Sequence, residues 1–271
     1  MATLDALMAS RRWEPGDLVF QGGTSLHLAY GSPRYSEDLD FLVNSSLNLQ
    51  SIAKAVEARL EGASWLLPQG AKLVVSKAKD ARNPHTFVVT IGGPDLIGAV
   101  RVKVELWRAP ESTVNAVKTT VSPIRLASGA ASGLQTFVPT ADLSEIYVDK
   151  VFALGARPYL KARDVFDLHW LLSHGMAGVC TPESLRVRLA TYPGETAAAW
   201  LVKARARREE LASSVDSIEE DLKRWLPSSW PLAGEAVQSM VRSAITSLDE
   251  GVRAMRQIEA QSRAKPADPS P

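Results

Sequence analysis

The sequence predicts an α+β front half joined to an all-helical back half. Three observations carry that prediction. Before about residue 140, short apolar runs alternate with turn residues at strand period. After it, apolar residues recur at helical spacing almost throughout. The 271 residues, 45% hydrophobic and 23% charged, are enough for a real core in one or two domains.

In the front half, Asp17–Gln21, Leu39–Val43, Thr86–Ile91 and Val100–Trp107 read as strands, and Leu49–Leu60 as a helix with Ile52, Val56 and Leu60 on one stripe. The back half opens with a helix over Asp142–Gly155, then another over about Lys161–His174. It is punctuated by Gly175–Gly178, Tyr192-Pro193-Gly194 and Leu226–Pro231. A long terminal helix over Ala233 to about Arg263 keeps Val237, Val241, Ile245, Leu248, Val252 and Met255 in register. The predicted division is a core over residues 1–140, a helical domain over 141–263, and a disordered tail over 264–271 that holds three prolines.

Charge and cysteine content exclude several classes. Lys plus Arg number 31 against 30 Asp plus Glu, so no global basic field marks a non-specific nucleic-acid binder, and any such site is a local patch. One cysteine, Cys180, excludes an internal disulfide framework and any multi-cysteine metal site. No apolar run approaches the roughly 20 residues that span a bilayer. Asp5 interrupts what a signal peptide needs, and Arg11-Arg12 follows the apolar stretch instead of preceding it. The chain therefore reads as cytoplasmic.

Chemistry concentrates in Gln21-Gly22-Gly23-Thr24-Ser25-Leu26 and Arg34-Tyr35-Ser36-Glu37-Asp38-Leu39-Asp40-Phe41. An apolar strand runs into two glycines, which let the backbone approach a ligand, and Thr24 and Ser25 open a short helix whose N–H groups suit a phosphate. Asp38 and Asp40, at i and i+2 of the next strand, share a face, while Leu39, Phe41 and Val43 take the core side. Two like charges there call for a cation, and a hard divalent ion bound by carboxylates and substrate phosphates is the natural solution. By the same alternation Glu105 falls on the polar face of its strand. It is either a third carboxylate for Asp38 and Asp40 or a salt-bridge partner of the neighbouring Lys103 or Arg101.

Lys150 lies in the middle of the stripe formed by Leu143, Ile146, Tyr147, Val151 and Leu154. An ammonium there snorkels out or meets an inward-facing anion, and a bound triphosphate would supply one. On the next helix, with Val165, Leu168, His169 and Leu172 on its core stripe, Asp164 flanks that stripe and Asp167 is placed further toward solvent. His169 reads as a satisfied core histidine, and the four histidines share no metal-ligand spacing.

These residues resemble the AbiEii/AbiGii toxin family of nucleotidyltransferases, which includes the MenT toxins of bacterial toxin–antitoxin systems. The resemblance rests on Gly-Gly-Thr-Ser-Leu with Arg34-Tyr-Ser-Glu-Asp-Leu-Asp-Phe, then on Asp149-Lys150 with Arg157 and Arg163-Asp164-Val-Phe-Asp167-Leu, together spanning about residues 17 to 172. The first block is the family's version of the polymerase-β-type signature. The resemblance implies a polymerase-β-like nucleotidyltransferase core, a mixed sheet with flanking helices, before the helical half. It implies that Asp38 and Asp40 hold Mg²⁺ (or Mn²⁺), joined by Glu105 if the strand alternation is followed. It places the nucleotide on Gly22, Gly23, Thr24, Ser25 and Arg34, and makes Lys150 and Asp164 complete the site.

The expected reaction is attack by an acceptor hydroxyl on the α-phosphate of an NTP with loss of pyrophosphate, Glu105 or Asp40 being the nearest base. Known members of the family point to RNA as acceptor, the 3′ end of tRNA, and to a cognate antitoxin as partner. The competing readings are the same reaction on a small antibiotic or a protein side chain, and a non-catalytic nucleotide- or RNA-binding module. The joint presence of Asp38, Asp40, Lys150 and Asp164 speaks against the module. Two further expectations concern regulation and the acceptor. Ser36 shares the face of Asp38 and Asp40 if the strand extends that far, so a phosphate on it would compete with the triphosphate; otherwise it caps a turn. Arg186, Arg188, Lys203, Arg205, Arg207 and Arg208 either line a groove for RNA or form solvated helix faces.

Overall fold

The computed structural model describes residues 1–63, 67, 69–77, 83–125, 135–192 and 194–264. The chain divides into two compact units, Met1–Asp142 and Leu143–Pro271.

The first unit runs α1 (Ala2–Met8), β1 (Leu18–Gln21), α2 (Gly22–Tyr30), β2 (Asp38–Asn44), α3 (Leu49–Gly62), β3 (Lys72–Lys77), β4 (His85–Gly92), β5 (Val100–Ala109), α4 (Glu111–Ala116), β6 (Thr119–Arg125) and β7 (Gln135–Ala141). Its strands form a seven-stranded mixed sheet in the order β3-β4-β5-β2-β1-β7-β6. β2 pairs β5 and β1 pairs β7 in parallel, and the other neighbours are antiparallel. One face of the sheet is core. Leu39, Phe41 and Val43 of β2 meet Val104 and Leu106 of β5 and Phe87 of β4, covered by Leu4 and Leu7 of α1 and by Ile52, Val56 and Leu60 of α3. Phe20 stacks on Phe41 with ring centroids 4.9 Å apart. The Asn48 side chain caps α3 by accepting from the Ser51 N–H.

The four expected strands are present, longer or shorter by a residue or two. Sequence reasoning missed α1, β3, α4, β6 and β7. In β7 polarity and burial part company: Thr136 and Thr140 are buried on the face of Val138, while Phe137 is 58% exposed. The Thr136 hydroxyl donates to Asp5 Oδ1 at 3.2 Å and that of Thr140 to the Val138 carbonyl at 3.0 Å, which makes their burial tolerable. Pro123 and Pro139 further erase the strand signature.

The second unit is helical: α5 (Leu143–Ala156), α6 (Ala162–Ser173), α7 (Pro182–Thr191), α8 (Ala197–Ser213), α9 (Val215–Leu222) and α10 (Gly234–Ala264). Trp200 of α8 is wholly buried, and its indole N–H donates to the Phe152 carbonyl of α5 at 2.9 Å. The indole fits because Gly155 of α5 and Gly251 of α10 lie against it: a Cβ on Gly251 would stand 3.1 Å from Trp200 Cη2, and one on Gly155 would stand 2.8 Å from Nε1. α10 extends over 31 residues as its apolar register requires. Of the segment expected to be a disordered tail, Ala264 closes α10 and residues 265–271 lie outside the described residues. Among the described residues no helix is long and apolar enough to cross a membrane.

Candidate active site

In the first unit, the chain leaves β1 at Gln21 and turns at Gly22, whose φ of +81° suits glycine. α2 starts there with no side-chain capping bond from Gln21, and a helix N-terminus favours an anion. Both glycines lie against charged groups. A Cβ on Gly22 would stand 2.6 Å from Asp40 Oδ2; one on Gly23 would strike the Arg34 guanidinium and stand 3.1 Å from Ser36 Oγ. Thr24 and Ser25, expected among the residues that receive phosphates, direct their hydroxyls at the backbone. Thr24 Oγ1 donates to the Asp38 carbonyl, and Ser25 Oγ donates to the Gly22 carbonyl at 2.8 Å. They tie the turn to the first residue of β2.

β2 carries Asp38 and Asp40 on the side opposite the core, both half-buried. Register across the sheet sets Gln21 opposite Asp40, Asp40 opposite Glu105, and Asp38 opposite Lys103. Asp38, Asp40, Lys103 and Glu105 therefore share one face. The Lys103 ammonium pairs with Glu105 and lies 4.0 Å from Asp38 Oδ2. Partial burial would lower its pKa, but Glu105, Asp38 and Asp40 outweigh that and hold it above the ordinary lysine value. Of the two readings of Glu105, the salt bridge to Lys103 is present, and the register also sets Glu105 opposite Asp40 on the same face.

Among the described residues, no three His, Cys, Asp or Glu side chains converge as a ready-made cation cage. The donor set still suits Mg²⁺, which needs one or two carboxylates and takes its remaining ligands from water and phosphate. Asp38 and Asp40 are hard oxygen donors on one strand face, beside a helix start able to hold those phosphates.

Arg34 is buried, 2% exposed, and donates to the Tyr35 carbonyl at 2.6 Å. Ser36 precedes β2 by two residues, so strand alternation does not place it with Asp38 and Asp40. The loop carries it there by another route, setting its hydroxyl beside Gly23.

In the second unit, Lys150 of α5 is 9% exposed and forms ion pairs with Asp164 Oδ1 at 2.9 Å and Asp167 Oδ2 at 2.6 Å, both on α6. Arg157 also pairs with Asp164. The placement of Asp167 toward solvent is corrected: it is fully buried. Three residues beyond Asp164 is only about 60° around a helix, so both carboxylates face α5. Sequence reasoning found Lys150 inside an apolar stripe but not the second carboxylate that makes this tolerable.

Two of the six basic residues considered for RNA are structural. Arg188 is buried and donates to Glu145 and Asp149 at 2.7 Å each. Arg207 is buried and donates to the Leu154 carbonyl at 3.1 Å and the Arg157 carbonyl at 2.7 Å. The others lie at the surface in ion pairs: Arg186 with Glu183, Lys203 with Glu195, Arg205 with Glu209, and Arg208 with Asp249. His169 is a satisfied histidine, hydrogen-bonded to Ser243 at 2.9 Å.

The family model described as nucleotidyl transferase AbiEii toxin, type IV toxin–antitoxin system, matches residues 5–238. The chain belongs to the AbiEii nucleotidyltransferase toxin family. Solved structures agree on the fold. JHP933 from Helicobacter pylori superposes with a TM-score of 0.53 at 20% identity, covering 96% of this chain and 94% of that one. MenT4, a nucleotidyltransferase toxin from Mycobacterium tuberculosis H37Rv, superposes with a TM-score of 0.56 at 18% identity, covering 97% and 90%. No curated relative matches the chain. As an AbiEii nucleotidyltransferase it has an NTP as substrate and, as a toxin of a type IV pair, an antitoxin as its counterpart.

Proposed function

We propose that this AbiEii protein moves nucleotides from an NTP to RNA, at the 3′ end of a tRNA, in a Mg²⁺-dependent reaction in the cytoplasm that blocks translation. The observation that carries this reading is the meeting, in the first unit, of a helix start suited to phosphate and a carboxylate face suited to a cation. The uncapped start of α2, with Gly22 against Asp40 and Gly23 against Arg34, adjoins a strand face bearing Asp38, Asp40 and Glu105.

In this reading the Gly22–Gly23 turn and the first N–H groups of α2 hold the phosphates, and Thr24 and Ser25 keep that turn in place. Arg34 adds positive charge beside Gly23. Asp38 and Asp40, with Glu105 in register, would hold the divalent cation. A bound Mg²⁺ neutralises the triphosphate and lowers the pKa of an acceptor hydroxyl. Asp40 or Glu105 takes the proton of that hydroxyl as it attacks the α-phosphate, and the bond from the α-phosphorus to the bridging oxygen breaks to release pyrophosphate. Lys150 and Asp164 of the second unit are required for transfer. Family membership supports RNA as the acceptor.

Incubation with each α-³²P-labelled NTP, total RNA, total protein and a small-molecule acceptor panel tests the reading. Label should enter RNA of tRNA size, need Mg²⁺ or Mn²⁺, and disappear in Asp40→Asn. Label in protein or in a small molecule would reassign the acceptor; no label anywhere would return the chain to a binding role.

A further inference from the structure

The sheet register aims Lys103 at the carboxylate face. It stands directly opposite Asp38 across the β2–β5 pair and two residues before Glu105 on the same strand face. Its ammonium pairs with Glu105 and lies 4.0 Å from Asp38 Oδ2, while its side chain keeps 42% exposure and hence room to swing away.

We propose that Lys103 is a built-in competitor for the divalent cation, filling the carboxylate cluster until a metal displaces it. The proposal rests on the reading that Asp38 and Asp40 hold that metal. Carboxylates sharing a face repel unless a positive charge sits between them. A tethered ammonium supplies that charge at a high effective concentration that dilution does not reduce. A divalent ion entering the cluster must release the Lys103 ammonium from Glu105 and Asp38, so its apparent affinity falls by the cost of that release. Lys103 thereby sets how much free metal the protein needs before the site is loaded, and keeps the face neutralised until then.

Electron paramagnetic resonance of free Mn²⁺, titrated with the full chain and Mn²⁺ alone as probe, tests this without turnover. Lys103→Gln should bind Mn²⁺ about tenfold tighter than the native chain, or about 1.4 kcal/mol. Lys103→Arg, which keeps the charge, should stay near the native affinity. Melting in EDTA supplies a second measurement: Lys103→Gln should melt below the native protein and gain more on adding Mn²⁺, because its carboxylates have lost their counter-ion. If Asp38→Asn removes Mn²⁺ binding while Lys103→Gln leaves affinity and melting unchanged, the competitor is wrong and the metal site stands. If Asp38→Asn leaves Mn²⁺ binding unchanged, the metal site itself is wrong and the competitor falls with it.

Discussion

The ammonium of Lys150 lies 2.6 Å from the carboxylate of Asp167, which has no solvent exposure at all. With Asp164 at 2.9 Å as well, one buried cation pairs with two buried anions, and Arg157 also pairs with Asp164. Removing it leaves carboxylates that water cannot reach, a loss of about 3–5 kcal/mol for a broken buried pair. Lys150→Met should therefore lose activity and also melt much lower, although methionine fits the apolar stripe. Adding Asp167→Asn to Lys150→Met should recover part of the stability, as thermal melts of the single and double variants would show. Recovery of transfer in the double variant would make the role of Lys150 purely structural.

Gly22→Ala and Gly23→Ala should both impair transfer, for different reasons. The first forces a Cβ into the left-handed region beside Asp40 and costs about 1–2 kcal/mol. The second pushes the Arg34 guanidinium aside. Single-turnover assays against melting curves separate the two effects: Gly23→Ala should lose far more rate than stability.

Ser36 borders Gly23, where a triphosphate would approach the start of α2. Ser36→Glu should inhibit transfer strongly by adding negative charge to that approach, and Ser36→Ala should retain it. Equal activity in the two variants would remove any regulatory role from this hydroxyl.

The basic side chains of the helical unit should divide sharply. Arg188→Ala abandons Glu145 and Asp149 and should cost about 3–5 kcal/mol. Arg205→Ala, at a side chain 86% exposed, should change stability by less than about 0.5 kcal/mol. Urea melts of the two variants give the comparison directly.

Acid should weaken the fold through two histidines. Burial holds His85 and His169 below their ordinary pKa, and Arg108 depresses His85 further. Each is kept neutral in the folded chain while the unfolded chain protonates near pH 6.5. Their contribution is present above that pH and is lost as pH falls through the folded values. Melting temperature should drop between pH 7.5 and pH 5.5, and His169→Gln should flatten part of that drop.

The elements that read clearly from sequence are those where period and burial agree. Phe41 and Val43 alternate with Asp38 and Asp40, and the structure turns them to opposite faces. β7 escaped because its buried threonines found hydrogen-bond acceptors, Thr140 within the strand and Thr136 at the distant Asp5, while Phe137 pointed outward. The Gly22–Gly23 turn and the Asp38/Asp40 pair read from local motifs, but the closeness of Gly22 to Asp40 and the position of Lys103 follow from pairing between strands that no local pattern encodes. Asp167 was misplaced because a helical wheel shows where an apolar stripe lies but not how far a neighbouring helix covers its flank. Pairing with Lys150 depends on α5 lying against α6, a tertiary fact.

The glycines around Trp200 fix the axial alignment of three helices. Gly155 and Gly251 come from different helices yet receive the same indole, carried by a third. Sliding α5 or α10 along its own axis by one residue would bring a side chain where hydrogen now sits. Sideways breathing of these helices is limited as in any packed core, but lengthwise translation meets a hard steric stop. A lengthwise shift of any one of α5, α8 and α10 therefore has to carry the other two with it.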